Sequence, residues 1–109
     1  MSVRTAILGR ELTGNGATDA IGTCPAGETW IIKGAEVSNA GGTTVSVQLY
    51  IETADQSVRA VFFQQSLTLA AVAHYAGWVV MEPGDILWSH ASGGTCYVWV
   101  SGARLAGVA

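Results

Sequence analysis

The sequence predicts an all-β domain, an antiparallel β-sandwich of jelly-roll type with seven or eight strands. Apolar and polar residues alternate with a period of two along most of the chain. Turn residues interrupt this alternation at intervals of roughly 8 to 12 residues, and no stretch shows a convincing helical period. At 109 residues, the chain can bury a core without a metal ion or several disulfides.

The most regular strand is predicted over residues 44–52. Val45, Val47, Leu49 and Ile51 alternate there with polar side chains. Successive side chains of a strand point to opposite faces, so we expect one face in the core and the other in water.

Residues 30–39 form the first long strand of the prediction. Every second residue from Trp30 to Glu36 is expected on one face, and every second residue from Ile31 to Val37 on the other. Residues 70–76 are rich in alanine and suit either a helical turn or a strand with a bulge, of which we favour the strand. The other predicted strands cover residues 20–24, 57–63, 67–69, 77–81, 85–90 and 95–101.

The last two of these strands organise the prediction. Pro83 and Gly84 predict a tight turn before residues 85–90, because proline fixes φ and glycine accepts a positive φ. Ser92, Gly93 and Gly94 then predict an antiparallel hairpin with residues 95–101. An immunoglobulin-like sandwich is the alternative, but the spacing of cysteine and tryptophan disfavours it.

Residues 1–19 are predicted to be an N-terminal arm, and residues 20–109 a single sandwich domain. A short apolar alternation in the arm precedes Gly14, Asn15 and Gly16, which is turn or linker chemistry. We expect the arm either to add a strand to an edge or to reach a neighbouring subunit.

Composition predicts that much of the surface is buried against protein. Charged residues are 12% of the chain and apolar residues 50%, whereas about a quarter of a typical soluble domain is charged. Apolar faces left in water promote association, so we expect a homo-oligomer, with a trimer favoured. A compact monomer covered by Thr, Ser and Gly is the alternative.

Charge argues against nucleic acid and membrane as partners. The net charge is −3, from 5 basic and 8 acidic residues, and no basic patch is evident. Residues 60–81 lack charges but are too polar for a lipid-facing helix. The first residues show no secretory signal, so we expect synthesis in the cytoplasm.

No combination of residues predicts catalysis, a metal or a cofactor. His74 and His90 lack partners at motif spacing, and Asp85 is expected on the strand face opposite His90. Cys24 and Cys96 have no neighbouring cysteine at the spacing of a zinc or redox motif. We expect two buried free thiols, with a disulfide between them as the alternative.

Tryptophans are the candidate contact residues. The predicted hairpin places Trp88 and Trp99 on its two arms, where with Tyr97 they could form an aromatic platform for a sugar ring or a protein partner. The alternative is that these rings fill the core or a subunit interface. Trp30 and Trp78 are expected in the core or an interface.

The order of these motifs resembles small β-rich structural proteins of tailed bacteriophages. In that group a PAG turn precedes a strand ending near Asn, a V-x-V-x-L-Y strand follows, and a PGD turn leads to a last strand ending in SG. The matching positions here are residues 25–27, Asn39, residues 45–50, residues 83–85 and residues 101–102.

The resemblance implies a non-enzymatic component of a virion: a capsid decoration protein, a neck or tail accessory, or the base of a fibre. Its expected partners are copies of itself and a capsid or tail protein. A carbohydrate-binding module that uses the exposed tryptophans is the alternative function, with a glycan as partner, and an accessory domain of a secreted enzyme is a third. Glycan binding lost on replacing Trp88 or Trp99 favours the module, whereas a stable trimer or larger assembly favours the virion component.

Overall fold

The computed structural model describes residues 2–106, with side chains from residue 4. Within this range the chain forms strands and no helix. Residue 1 of the predicted arm and residues 107–109 of the predicted domain lie outside the described residues. The strands are β1 (Ser2–Thr13), β2 (Thr18–Thr23), β3 (Glu28–Asn39), β4 (Val45–Glu52), β5 (Arg59–Leu67), β6 (Val72–Met81), β7 (Ile86–Ser92) and β8 (Cys96–Ala106).

The eight strands form two four-stranded antiparallel sheets. The first sheet has the order β1-β8-β3-β6, and the second has the order β2-β7-β4-β5. Consecutive strands lie in different sheets except β4 and β5, so the chain crosses repeatedly between the layers. This arrangement confirms the predicted antiparallel sandwich of jelly-roll type, with eight strands.

The predicted hairpin of residues 85–101 is wrong. β7 pairs with β2 and β4 in the second sheet, whereas β8 pairs with β1 and β3 in the first. The segment between them crosses from one sheet to the other; Gly93 has φ 87° and donates its N–H to Asn15 Oδ1 at 2.8 Å. Alternation specifies the face of each side chain but not the partner strand, which explains the error.

The predicted faces of residues 30–39 are correct only as far as Ile32. The pairing of β3 shifts between Ile32 and Gly34 against both neighbouring strands, which is a β-bulge. Ala35 and Val37 are therefore buried on the same face as Ile32, and Glu36 is exposed on the other.

The middle of the chain has fewer strands than predicted. Leu67 is the last residue of β5, so the short strand predicted over residues 67–69 is wrong. One continuous strand, β6, covers most of residues 70–76 and all of residues 77–81. The strand favoured for residues 70–76 is confirmed from Val72 onwards, but the interruption in its pairing lies later, at Gly77 and Trp78, opposite the bulge of β3.

β1 is the edge strand of the first sheet, and it comes from the predicted N-terminal arm. It pairs with β8 along most of its length, with a register shift between Ile7 and Gly9. Leu8 is 4% exposed and belongs to the core. In this structure residues 2–13 therefore take the edge-strand role considered for the arm; exchange with a neighbouring subunit and the boundary after residue 19 stay predictions.

The core lies between the two sheets. Val45, Val47, Leu49 and Ile51 of β4 all point into it, as the sequence predicts. Buried side chains from six other strands and from the β2–β3 turn complete it. Their burial supplies the main stabilising free energy of the sandwich.

Two further predictions are confirmed at the edges of this core. Asp85 donates its backbone N–H to the carbonyl of Glu82 at 3.0 Å, and Gly84 has φ 91°, which is the expected tight turn. Cys24 and Cys96 are both buried and free, so the predicted disulfide alternative is wrong.

Candidate functional site

The outer face of the first sheet carries most of the exposed apolar side chains. Ten large apolar side chains are exposed among residues 4–106, and the strand pairing places seven of them on this face. We call it the apolar face. Its seven members are Ile7, Leu12, Val72, Trp78, Val80, Tyr97 and Trp99.

The alternation of β8 explains why this sheet is apolar on both sides. Val98 and Val100 point into the core, whereas Tyr97 and Trp99 point outwards and are 55% and 47% exposed. A strand with one wet face normally carries polar residues there. β8 therefore carries aromatic side chains on an outer face where polar residues are usual.

Trp99 lies in the middle of the apolar face, on one of the two inner strands. The guanidinium carbon of Arg10, on β1, lies 5.3 Å from the centre of its ring. On its other side Trp99 is paired with Glu36 of β3, whose Oε2 lies 3.3 Å from Nε2 of His74 on β6. Charged groups thus surround an aromatic centre, as at many protein interfaces.

A shallow hollow of about 520 Å³ lies beside this ring. Gly34 and Ser101 keep it open, because they are the smallest residues that face each other across β3 and β8. Glu36, His74 and Trp99 form its rim. A hollow and an exposed ring thus lie side by side on the apolar face.

Trp78 is the most exposed large apolar residue among residues 4–106, at 68%. It lies on β6, the other edge of the first sheet, with the ammonium of Lys33 5.8 Å from its ring centre. The sequence predicted that Trp78 lies either in the core or in an interface, and the structure places it on the surface.

The second sheet has a polar outer face, which we call the polar face. The pairing of its strands aligns outward side chains into rows that cross the sheet. One row is serine, the next carries amide and imidazole groups, and the third is aromatic. The rows are Ser92-Ser46-Ser66, Thr18-His90-Gln48-Gln64 and Trp88-Tyr50.

Trp88 belongs to this polar face and not to the face of Trp99. Its ring stacks on Tyr50, with the ring centres 6.3 Å apart and the planes at 18°. Arg59 covers Tyr50 at 4.4 Å and pairs with Glu52 at 3.1 Å. The predicted platform of Trp88 and Trp99 is therefore wrong, because the two strands lie in different sheets; Tyr97 and Trp99 do share a face.

Two carboxylates have strongly lowered pKa values, and both are held by neighbouring donors. Arg104 donates two hydrogen bonds to Glu28, each at 2.7 Å, and Trp30 donates a third at 3.0 Å; these bonds lower the Glu28 pKa to about 2. Hydrogen bonds from Ser57 and Thr53 lower the pKa of the second carboxylate, Asp55, to about 2. The Glu28–Arg104 pair joins β3 to β8 at one end of the first sheet, and Asp55 orders the β4–β5 turn.

The thiols show the opposite behaviour. Burial raises the pKa of Cys96 to about 11, and burial is also the main cause of the raised pKa of Cys24. Thiols are nucleophilic only as thiolates, so neither residue is an activated nucleophile. Within residues 2–106 no group of three or more His, Cys, Asp or Glu side chains could hold a metal ion. No helix within the described part of the chain is long and apolar enough to cross a membrane.

The sequence missed two features of the surface. Ile7, Leu12 and Val80 were not recognised as parts of one face, because only the pairing of β1, β8, β3 and β6 brings them together. The polar rows were missed for the same reason. The available signal was apolar residues on both faces of β6 and β8.

No protein-family model matches the sequence, and no curated protein matches it. Among solved structures, the chain is similar to a chain of infectious bursal disease virus, Gx strain, with a TM-score of 0.53 and 13% identity. The Gt strain of the same virus gives a TM-score of 0.51 and 11% identity. Each similarity covers 94% of this chain and 32% of the virus chain, so this chain spans about a third of their length.

A third similarity is to the Drosophila NLP-core, a structure that concerns pentamer formation and histone binding. Its TM-score is 0.45 at 11% identity, covering 95% of this chain and 96% of that one, and it carries no argument. The two viral similarities, at 13% identity or less, establish the fold and not the function. This chain therefore shares a β-sandwich fold with chains found in a virus.

Proposed function

We propose that this chain is a non-enzymatic structural protein of a virus particle that assembles through its apolar face. The observation that carries the proposal is the concentration of seven of the ten exposed large apolar side chains on one sheet face. Single exposed apolar residues are normal, but a contiguous patch of this kind is typical of a protein interface.

The partner proposed for the apolar face is a second copy of the chain. Arg10 and Lys33 bring positive charge to this face, and Glu36 brings negative charge, so two copies can meet with opposite charges paired. Mixed charge matters because the whole chain carries −3, and uniformly negative faces would repel each other.

The face is also large enough for a stable contact. The two longest extents of the molecule are 48 and 27 Å, which give about 1,300 Å² in projection, against roughly 800 Å² per partner in a typical stable interface. Rings at its centre and charged groups beside them match the usual arrangement of such interfaces.

The wider assignment rests on fold and on sequence resemblance. Viral chains share the fold, and the PAG and PGD motifs resemble structural proteins of tailed phages. Decoration of a capsid, an accessory position in the neck or tail, and the base of a fibre all fit a small oligomeric sandwich, with a capsid or tail protein as the second partner. Its location would then be the virion, after synthesis in the host cytoplasm.

A matched pair of substitutions tests the use of the apolar face. Val80 is 43% exposed on the outer side of edge strand β6, and Val61 is 46% exposed on the outer side of edge strand β5 in the other sheet. We expect Val80→Lys to shift the sedimentation coefficient towards that of an 11.3 kDa monomer, because it buries a charge in the contact. Val61→Lys should leave the oligomer intact.

Equal effects of the two substitutions, or none from either, would contradict the proposal. Particles produced without the chain test the second partner: added unaltered protein should cosediment with them, and Val80→Lys should reduce the bound amount. Failure of the unaltered protein to bind such particles would refute the virion assignment.

A further inference from the structure

We propose that the polar face of the second sheet binds a neutral saccharide, in a groove across β7, β4 and β5. The groove has a volume of about 420 Å³, within the range of roughly 300–1,000 Å³ of small-ligand sites. Its lining residues with outward polar side chains are Ser46, Ser66, Ser92, Gln48, Gln64 and His90.

The groove offers hydrogen-bonding groups without strong charge. No carboxylate, ammonium or guanidinium belongs to the lining. Gln48 and Gln64 face each other across β4 and β5, and no hydrogen bond within residues 4–106 occupies their amide groups. Each amide has both donors and an acceptor, which suits neighbouring hydroxyl groups of a sugar.

The other lining groups are held in place by their own partners. Thr18 Oγ1 lies 2.8 Å from His90 Nδ1, which orients the imidazole and leaves Nε2 for a ligand. Ser46 and Ser66 hydroxyl oxygens lie 3.1 Å apart. The site is therefore partly ordered before binding, which lowers the entropic cost of association.

An aromatic ring lies next to the amide row. Trp88 is two residues from His90 on the same outward side of β7, about 7 Å along the strand, so a sugar on the amides reaches the partly exposed part of its indole. Trp88 Nε1 is buried and has no hydrogen-bond partner within residues 2–106. Apolar C–H faces of sugars pack on such rings, while their hydroxyl groups need the amides.

These features favour a saccharide over a peptide. β4 and β7 are inner strands whose backbone groups are paired on both sides, so a peptide lying across the groove cannot pair with them; of the three groove strands, only β5 has a free edge. The lining contains one apolar residue, Val47, which points into the core, and so gives no pocket for an apolar side chain. The inference does not depend on the apolar face, which lies on the opposite sheet.

Nuclear magnetic resonance titration of the full chain tests the site. Glucose, galactose, mannose and N-acetylglucosamine, with their short oligomers, serve as probes against ¹⁵N-labelled protein. We expect amide shifts confined to the outward positions of β4, β5 and β7. A single ring should bind with a dissociation constant on the order of 1 mM, given the usual affinity per atom of small ligands.

Two variants and a matched control complete the test. The double variant Gln48→Ala with Gln64→Ala should weaken binding at least about tenfold, because two amide contacts are lost. His90→Ala should also weaken it, whereas His74→Ala, which removes the histidine of the opposite face, should not. Thermal unfolding of each variant verifies the fold, and the shift map of the unaltered protein decides the location independently.

No shifts with any of the probes would overturn the inference. Shifts centred on Tyr97 and Trp99 would overturn it as well, because they would place the sugar on the apolar face. The oligomer is measured separately by sedimentation, so loss of sugar binding and loss of assembly remain distinguishable.

Discussion

Replacing Trp78 by alanine should weaken assembly strongly while leaving the folded monomer nearly intact. Trp78 is 68% exposed in the isolated chain, so most of its surface is free to be buried by a second copy. Trp78 belongs neither to the core nor to the partly buried side chains packed against it, and the ammonium of Lys33 lies 5.8 Å from its ring centre. The substitution therefore separates association from folding.

The exposed fraction of Trp78 sets the size of the effect. A tryptophan side chain presents up to about 250 Å², so an exposure of 68% leaves about 170 Å² to bury. At about 25 cal/mol per Å² this area contributes about 4 kcal/mol, of which alanine retains about 1. A loss of about 3 kcal/mol corresponds to a dissociation constant raised by about 100-fold.

The symmetry of the contact changes this figure. In a two-fold symmetric contact both copies of Trp78 lie in one interface, so the loss doubles to about 6 kcal/mol. In a cyclic assembly each interface contains one Trp78, so each interface loses about 3 kcal/mol. The size of the measured effect therefore distinguishes a symmetric pair from a cyclic trimer.

Sedimentation equilibrium over a dilution series measures the dissociation constant of the unaltered chain and of the variant. Leu69→Ala is the control, because Leu69 is 59% exposed but lies in the β5–β6 turn, outside the apolar face. A change of less than about threefold for Trp78→Ala, or an equal change for Leu69→Ala, would refute the reasoning.

Acid should weaken the fold through Glu28. Its pKa is 4.5 in an ordinary environment and about 2 here, so its stabilising contribution is complete above pH 4.5 and is lost as the pH falls towards 2. Glu28→Gln should therefore show a smaller loss of urea midpoint over that interval, and an unchanged loss would contradict the role of Arg104. Cys24 and Cys96 should react slowly with a thiol reagent in the native protein at pH 8 and rapidly in urea, because both are buried and the Cys96 pKa is about 11; fast labelling of either native thiol would contradict their burial.

The sequence predicted the class of the fold because alternation records burial directly. Val45, Val47, Leu49 and Ile51 are buried as their pattern indicates. Turn chemistry was equally informative where a single residue type is required, as at Gly84 with its φ of 91°. These signals are local, so they can be interpreted without knowing which strands pair.

Strand pairing could not be predicted in the same way. Residues 85–101 read as a hairpin, because two alternating segments joined by Ser92, Gly93 and Gly94 have the same pattern whether they pair or separate into two sheets. The bulge beside Lys33 could not be predicted either, because one extra residue inverts the faces of the residues that follow it without any change in composition.

The candidate surfaces depend on that pairing. Trp88 and Trp99 were expected side by side, but β7 and β8 place them on opposite outer faces. The groove combines residues from three strands, with His90, Gln48 and Gln64 far apart in sequence. The sequence indicated that the walls of the sandwich are apolar, and only the register shows that one wall is apolar and the other polar.

The molar mass of the unaltered chain in solution is the most direct test of the central claim, which is that the apolar face exists to be covered by protein. Sedimentation equilibrium at concentrations on the order of 1–100 µM covers the range in which such contacts form. A stable multiple of 11.3 kDa, with three copies favoured, is the predicted result. A mass of 11.3 kDa at every concentration would contradict the account.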